Sequence, residues 1–378
     1  TMAGHAQAAK LRLTDGLPRT PGVYLFRSAT GDILYVGKAT NLRARVRSYF
    51  SGDERRKVGA LLRETTRIDH VEHAHPLAAA VHEVRLIHEH NPPYNRQAKD
   101  WSRYVYVRLT LHETFPRLSI VRDIGREGDL HLGPLPSRRT AQRVIDAIHT
   151  SVPLRRCASR VSARSPRDAA CTAAQLGVSM CPCTGAVDPA DYAPVVERTV
   201  RGLTTEPDLL LAPLADRLRV LAAEERFEEA ADVRDRADAL SSALRRQRRF
   251  DRLRRADHLR IALPDGSGAE LRAGRLVRAW GPGDPQSGAT SLPFGDHVDR
   301  LEIPAPPERL RSGSDVQSAM PPLGRELADE FSCVAAWLDR NAEDLTITHC
   351  EGELSSVLPA VRSFSPRRTP VLSPARDH

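Results

Sequence analysis

Apolar residues along the chain change their spacing several times, and each change predicts an element. PGVYLF, beginning at Pro21, reads as a strand, RSATGD supplies turn chemistry and ILYVG reads as a second strand, so the three together predict a β-hairpin. From Lys38 to Phe50 the apolar positions Leu42, Val46, Tyr49 and Phe50 fall at helical spacing, with Arg43 and Arg47 on one polar flank and Arg45 beside Tyr49 at i,i+4. A second helix begins with Pro76 in its first turn, turns Leu77, Ala80, Val81, Val84 and Ile87 inward and stops at Asn91–Pro93. Strands over Tyr104–Leu111 and Leu118–Val121 and a helix over Ser137–Thr150 follow, which makes the region α+β.

Between Cys157 and Gly185 no clean period survives, so this stretch predicts a hinge or a knot held by metal. Periodicity returns at Pro213. Leu214, Leu218 and Leu221 form one stripe, Phe227, Ala230, Ala231, Ala237, Leu240 and Leu244 another, and Glu225–Arg226 lies between them as the bend of a two-helix hairpin. The run Arg245–Arg255 (RRQRRFDRLRR) reads as a solvated helix end, with phosphate tracking as its functional alternative. Beyond residue 256 come short strands (LRIAL, ELRAG, RLVRAW), a Gly/Pro-rich link (GPGDPQSG, residues 281–288) and a helix over Glu326–Arg340; no internal repeat is visible.

At 378 residues the chain has room for two to three domains with full cores. It has no apolar run near the ~20 residues that span a bilayer, which excludes a helical membrane protein. The opening TMAGHAQAAKLRL lacks the apolar core of a secretory signal, and a start at Thr1 suggests a cut from a longer chain or a tag scar; a cytoplasmic setting is expected. The formal charge of +8 suits a polyanionic partner. Only Lys10, Lys38, Lys57 and Lys99 among the 56 basic residues are lysine, a bias that fits bidentate phosphate contacts or GC-rich coding equally well. Six cysteines are too few for a disulfide framework, yet Cys157, Cys171, Cys181 and Cys183 cluster and call for a metal.

Tyr24 in GVY and Tyr35 in YVG would bring two phenols together on the hairpin, which by itself is ordinary cross-strand pairing. Lys38, Arg45 and Glu83 change that reading. With them, PGVYLFRSATGDILYVGKATNLRARVRSYF and EVRLIHEHNPPYN (Glu83–Asn95) resemble the GIY-YIG nuclease domain of the UvrC-like group. The resemblance implies a small α/β nuclease domain with a mixed three-stranded sheet and flanking helices. It makes Tyr24 the general base, Glu83 the ligand of one Mg²⁺ or Mn²⁺ and Arg45 the phosphate stabiliser, with Tyr35, Lys38, Tyr49 and Asn95 completing the pocket. A free phenol titrates near ~10, too high for a base at neutral pH, so Lys38, Arg45 and the metal are expected to lower Tyr24. His82 and His88, on the same helix as Glu83, are read as bystanders.

The cysteine-rich stretch is similar to the segment of UvrC-like proteins associated with a 4Fe-4S cluster, except that Ser179 stands where the third cysteine is expected and Cys181 follows two residues later. Zinc and plain reduced thiols remain open. RFEEAADVRD (Arg226–Asp235) is similar to the UVR motif, which implies a UvrB-like partner engaged through Phe227, Glu228, Glu229 and Arg234. The resemblance runs over roughly residues 15–250. The expected organisation is a nuclease domain (15–100), an α+β extension (101–155), the cysteine-rich segment (156–190), the hairpin (205–250) and an α/β region of unassigned role (256–378). Neither a second nuclease nor a helix-hairpin-helix tail is recognisable after residue 256, so the organisation resembles the shorter Cho-like nucleases or the module that follows a DEDD exonuclease. The expectation is a metal-dependent DNA endonuclease of nucleotide excision repair cutting one strand 3′ of a lesion, with a non-cutting UvrB- and DNA-binding adaptor, or a nuclease for RNA or branched DNA, as rivals.

Overall fold

The computed structural model describes residues 12–50, 56–95, 101–125, 128–158, 169–282, 290–291, 320–354 and 358–364. Residues 1–11, 159–168 of the cysteine-rich stretch and 283–288 of the Gly/Pro-rich link lie outside the described residues. The chain is α+β, built from small antiparallel sheets and helices. It divides into two compact units, one of Thr1–Arg103, Arg249–Glu308 and Leu323–Ser356, the other of Tyr104–Arg248, Arg309–Pro322 and Val357–His378.

In the first unit β1 (Gly22–Arg27) and β2 (Ile33–Ala39) form the expected hairpin, followed by α1 (Leu42–Ser48), α2 (Arg56–Glu64), β3 (Arg67–Glu72) and α3 (Pro76–His90). The sheet order is β2-β1-β3, and β1 is antiparallel to both neighbours. The expected mixed sheet is therefore corrected. The chain crosses over β1 through α1 and α2, so β2 and β3 run the same way but never pair, and each meets only the central strand. The helix expected from Lys38 begins later. Lys38 and Ala39 still pair with β1, and Asn41 caps α1 by accepting from the Ala44 N–H at 2.9 Å.

Strand parity sorts the hairpin's side chains to two faces. Tyr24 and Phe26 join Leu42, Val46, Tyr49, Phe50 and Leu61 in one apolar cluster, while Val23, Leu25 and Val36 pack with Ala79 and Ile87 of α3 in another. The opposite side of α3 is also covered. Leu77, Ala78 and Val81 enter a core made with β7 (His258–Ala262), β8 (Gly268–Arg272), β9 (Arg275–Trp280) and α9 (Ala328–Arg340). These strands, with β10 (Thr290–Ser291) and β11 (Thr346–Cys350), make a five-stranded sheet of order β10-β9-β8-β7-β11.

The second unit places α4 (Arg138–Ser151) against the antiparallel sheet formed by β4 (Val105–Leu109), β5 (Leu118–Val121) and β6 (Leu130–Leu135). After the short α5 (Thr172–Gln175) come α6 (Pro189–Thr204), α7 (Asp208–Ala223) and α8 (Phe227–Arg255). Glu225 takes the left-handed conformation (φ 56°) at the bend between α7 and α8, as the hairpin pattern requires. Along α8, Ala237, Leu240 and Leu244 turn inward, but Phe227 sits at the tip and is 67% exposed. The basic run Arg245–Arg255 is not a solvated end. Phe250, Leu253 and Arg254 within it are buried, because the helix continues into the apolar core that Phe250 and Leu253 share with α9. Among the described residues no helix is long and apolar enough to cross a membrane.

Candidate active site

The tyrosine cluster is assembled by a missing side chain. Tyr24 on β1 pairs with Gly37 on β2, and a Cβ at Gly37 would stand 2.5 Å from the Tyr24 Cζ, well inside contact distance. Only glycine lets the phenol lie across β2. Tyr24 Oη then hydrogen-bonds Tyr49 Oη at 2.9 Å, and Tyr49 Oη lies 3.4 Å from Tyr35 Oη, forming a chain of three phenols that runs from the core to half-buried Tyr35. From α1 the Arg45 guanidinium stacks over the Tyr49 ring, 5.0 Å from its centroid, and donates to Tyr49 Oη at 3.4 Å.

Immediately after Gly37, Lys38 meets α3. Glu83 accepts from the Lys38 backbone N–H at 3.2 Å and forms an ion pair with the Lys38 ammonium. Two caps hold the helix that delivers this carboxylate. His75 Nδ1 accepts from the Leu77 N–H at 3.1 Å at the start, and Asn91 ends it in the left-handed region (φ 44°). The chain then turns back so that Asn95 clasps Val36 with both amide atoms, Oδ1 accepting from the Val36 N–H (2.9 Å) and Nδ2 donating to its carbonyl (2.8 Å). This buried amide fastens the loop after α3 to the outer edge of β2 and so fixes the strand that presents Tyr35, Gly37 and Lys38.

Burial is the main influence on these phenols. Removal from water, then the neighbouring Tyr49 and Tyr35, hold Tyr24 well above the ordinary phenol range, and the opposing pull of Arg45 is smaller. Tyr35 is also raised, by burial first, then Tyr49, with Glu83 adding to the rise. Arg45 does pull Tyr24 down as expected, but the protein's own cations do not outweigh burial and the neighbouring phenols. Tyr24 is 1% exposed and its hydroxyl lies among other phenols, while the Lys38 ammonium is engaged by Glu83.

Sequence reasoning missed the group that steadies α3 from its other side. Two residues after Glu83, buried Arg85 makes a bidentate pair with buried Glu330 of α9 (2.6 and 3.1 Å) and donates to the Leu276 carbonyl at 2.9 Å. Arg275 lies 3.6 Å from the same carboxylate. Burial works against ionisation of Glu330, yet Arg85 and then Arg275 keep it below the usual carboxylate range. His88 adds a contact to Asp329 at 3.2 Å, so this bystander ties α3 to α9, and His82 is bonded to His73 at 2.8 Å. An arginine at i+2 from a candidate metal ligand is the one signal available in the sequence; its partner lies 245 positions away.

In the second unit three of the four clustered cysteines converge. The ligand atoms of Cys157, Cys181 and Cys183 lie within 4.8 Å of one another, with the Cys157 and Cys183 sulfurs 3.5 Å apart. Burial, then Cys181 and Cys157, push the Cys183 thiol up to about 12. Burial also opposes ionisation of Cys181, but hydrogen bonds from Cys183 and Cys171 outweigh it and hold that thiol below its ordinary value, so Cys171 is next to Cys181 but outside the three-cysteine group. Ser179, at the position where a cysteine was expected, is buried and donates to the Leu154 carbonyl at 3.0 Å. At the tip of the helical hairpin Arg226 pairs with Glu224 (2.9 Å) and Glu229 (2.6 Å), and Arg234 pairs with Asp235 (3.1 Å). These pairs leave Phe227 as an exposed apolar group inside a charged surround.

Residues 20–96 match the family model of the UvrC-like GIY-YIG domain, and residues 104–202 match that of the UvrC/Cho excinuclease middle domain. A Mycobacterium tuberculosis protein named as a bifunctional exonuclease/endonuclease is 34% identical over 371 residues, 96% of this chain and 54% of that protein. That similarity therefore continues past residue 250 through the C-terminal strands. The UvrABC system protein C of Desulforudis audaxviator is 32% identical over 333 residues, 85% of this chain and 52% of that protein. Among solved structures, the GIY-YIG N-terminal endonuclease domain of UvrC from Thermotoga maritima, bound to magnesium, is 30% identical over 23% of this chain and 97% of its own, with a TM-score of 0.22. The chain spans about half the length of these two curated relatives, and within it a UvrC-like GIY-YIG domain is followed by a UvrC/Cho-type middle domain.

Proposed function

We propose that this chain is a metal-dependent DNA endonuclease of nucleotide excision repair, cutting one strand 3′ of a lesion. The observation that carries the reading is the meeting of the Tyr24–Tyr49–Tyr35 chain, Arg45 and the Lys38–Glu83 pair at one end of β2, in residues that match the UvrC-like GIY-YIG domain. Glu83 fits a hard divalent cation, because a single carboxylate leaves most positions to water and phosphate oxygens, and its partner Lys38 is on a half-exposed side chain able to move aside. Mg²⁺ or Mn²⁺ bound there would supply the positive charge that lowers nearby water and phenol and shields the phosphoryl oxygens.

In this mechanism Tyr24 takes the proton of the attacking water and Tyr49 and Tyr35 pass it towards solvent. Arg45 binds a non-bridging phosphate oxygen; the water oxygen bonds to phosphorus as the bond from phosphorus to the 3′ oxygen breaks, and the departing 3′ oxygen takes a proton from solvent to leave as a hydroxyl. Asn95 positions β2 and does not touch the substrate. Cys157, Cys181 and Cys183 suit one tetrahedral ion, with Cys171, next to Cys181, as the fourth ligand. Four sulfurs 2.3 Å from zinc stand about 3.8 Å apart, close to the 3.5 Å seen between Cys157 and Cys183, whereas a 4Fe-4S cluster requires the thiolates to spread. The exposed Phe227, with Glu228, Glu229 and Arg234 around it, serves as the anchor for a UvrB-like partner.

Incubating a lesion-bearing duplex with UvrB, Mg²⁺ and this protein is expected to give a nick 3′ of the lesion that Glu83→Ala reduces by more than about 10³-fold. Absence of a nick across several divalent metals, with UvrB still captured, would instead establish the adaptor reading.

A further inference from the structure

Far in sequence from the tyrosine cluster, the C-terminal sheet gathers two histidines and two glutamates at its β8-β7-β11 end. His258 opens β7, Glu270 lies on β8, His349 lies on β11 and Glu351 follows that strand at once. His258 Nδ1 is 3.3 Å from Glu351 Oε1, His349 Nε2 is 3.5 Å from the same oxygen, and the three ligand atoms all lie within 4.8 Å of one another. Ligands bound tetrahedrally at about 2.0–2.1 Å from one ion stand about 3.3–3.4 Å apart. Both separations to Glu351 agree with that geometry.

The fourth residue sets the proton. His258 Nε2 lies 2.9 Å from Glu270 Oε1, so Glu270 can accept the ring proton there while Nδ1, 3.3 Å from Glu351, is turned towards the site. A metal-bound imidazole whose other nitrogen donates to a carboxylate is the arrangement that fixes ring orientation and raises ligand basicity. The backbone contributes as well. The register of β11 against β7 slips between Ile347 and His349, an irregularity of the kind that re-aims a side chain. Neighbouring Cys350 is directed elsewhere, its thiol bonded to the carbonyls of Ala256 (3.6 Å) and Gly352 (3.2 Å).

We propose that His258, His349 and Glu351 bind one zinc ion, with Glu270 as the positioning carboxylate and a water in the fourth place. The ion clasps the edge strand β11 to β7. His349 and Glu351 are half-exposed, so their substitution leaves the fold intact.

The test uses the full chain, stripped with chelator, reloaded with Zn²⁺ and washed, with zinc measured by mass spectrometry at pH 7.5. Native protein is expected to retain one zinc per chain more than either His349→Ala or Glu351→Ala. Any zinc on the cysteines is common to all three proteins and cancels in the difference. Glu270→Gln is expected to keep the site but bind zinc about 10–100-fold more weakly. Backbone hydrogen exchange over residues 346–350 is expected to slow on zinc addition in the native protein and not in His349→Ala. Equal zinc content in native protein and both variants, or exchange over β11 indifferent to zinc, would overturn the proposal.

Discussion

Replacing Glu330 by leucine tests whether the C-terminal helix holds the Glu83 helix in place. The change removes the carboxylate that takes two of the three Arg85 contacts described here and leaves a guanidinium only 5% exposed beside Arg275. Breaking a buried pair by deleting one partner costs about 3–5 kcal/mol, because the surviving charge stays desolvated. The accompanying Arg85→Leu is expected to recover most of that loss, since two apolar side chains of similar volume can replace a buried pair at little cost. Urea unfolding of the four proteins of this cycle, with m-values compared, gives the coupling directly. The functional readout is nicking. With α3 loosened, Glu330→Leu is expected to lose at least about tenfold in rate through misplacement of Glu83, and hydrogen exchange along Pro76–His90 is expected to rise. A Glu330→Leu protein destabilised by less than about 1 kcal/mol, or equally active, would refute the argument.

Gly37→Ala is expected to cost about 1–3 kcal/mol by forcing the Tyr24 ring aside, and to cut nicking sharply because the bond to Tyr49 is lost with it; native activity in this variant would remove the tyrosine chain from the mechanism. Burial lowers His75 and His82 to about 4, against a small opposing pull from Asp265 on His75 and in concert with His73 and Arg85 at His82. Both bind protons more readily when unfolded, so their contribution is whole above about pH 6.5 and is lost as the pH falls towards 4, by about 1–3 kcal/mol each. Urea midpoints that stay constant between pH 7 and 4.5 would contradict this. Phe227→Ala is expected to weaken capture of UvrB by about 2 kcal/mol or more without altering folding, measured by calorimetric titration; unchanged affinity would relocate the partner surface.

What the chain's pattern disclosed, and what it hid, follows from the range of each interaction. The β1–β2 hairpin, α3 with its Pro76 start and Asn91 stop, and the α7–α8 bend are local, so spacing and turn residues were enough to foresee them. The strand Arg67–Glu72 escaped notice because its side chains are mostly exposed and give no alternation, and α6 was obscured by Pro194 in its interior. The tyrosines, Arg45 and Glu83 could be named because they recur as a motif, but the direction of the Tyr24 shift could not. That depends on how completely α1 covers the phenol and on Lys38 being taken up by Glu83. The Arg85–Glu330 pair lay beyond reach, since neither residue has a local pattern and only the folded chain joins them.

The double coverage of α3 bears on how this nuclease can be dissected. A fragment cut to the GIY-YIG boundaries would carry Leu77, Ala78 and Val81 as a newly wetted apolar stripe next to an Arg85 stripped of Glu330 and the Leu276 carbonyl, and would be prone to stick to itself. The catalytic module of this protein is therefore not a detachable cartridge, and grafting it onto another chain means bringing the distant sheet and α9 along as its back wall.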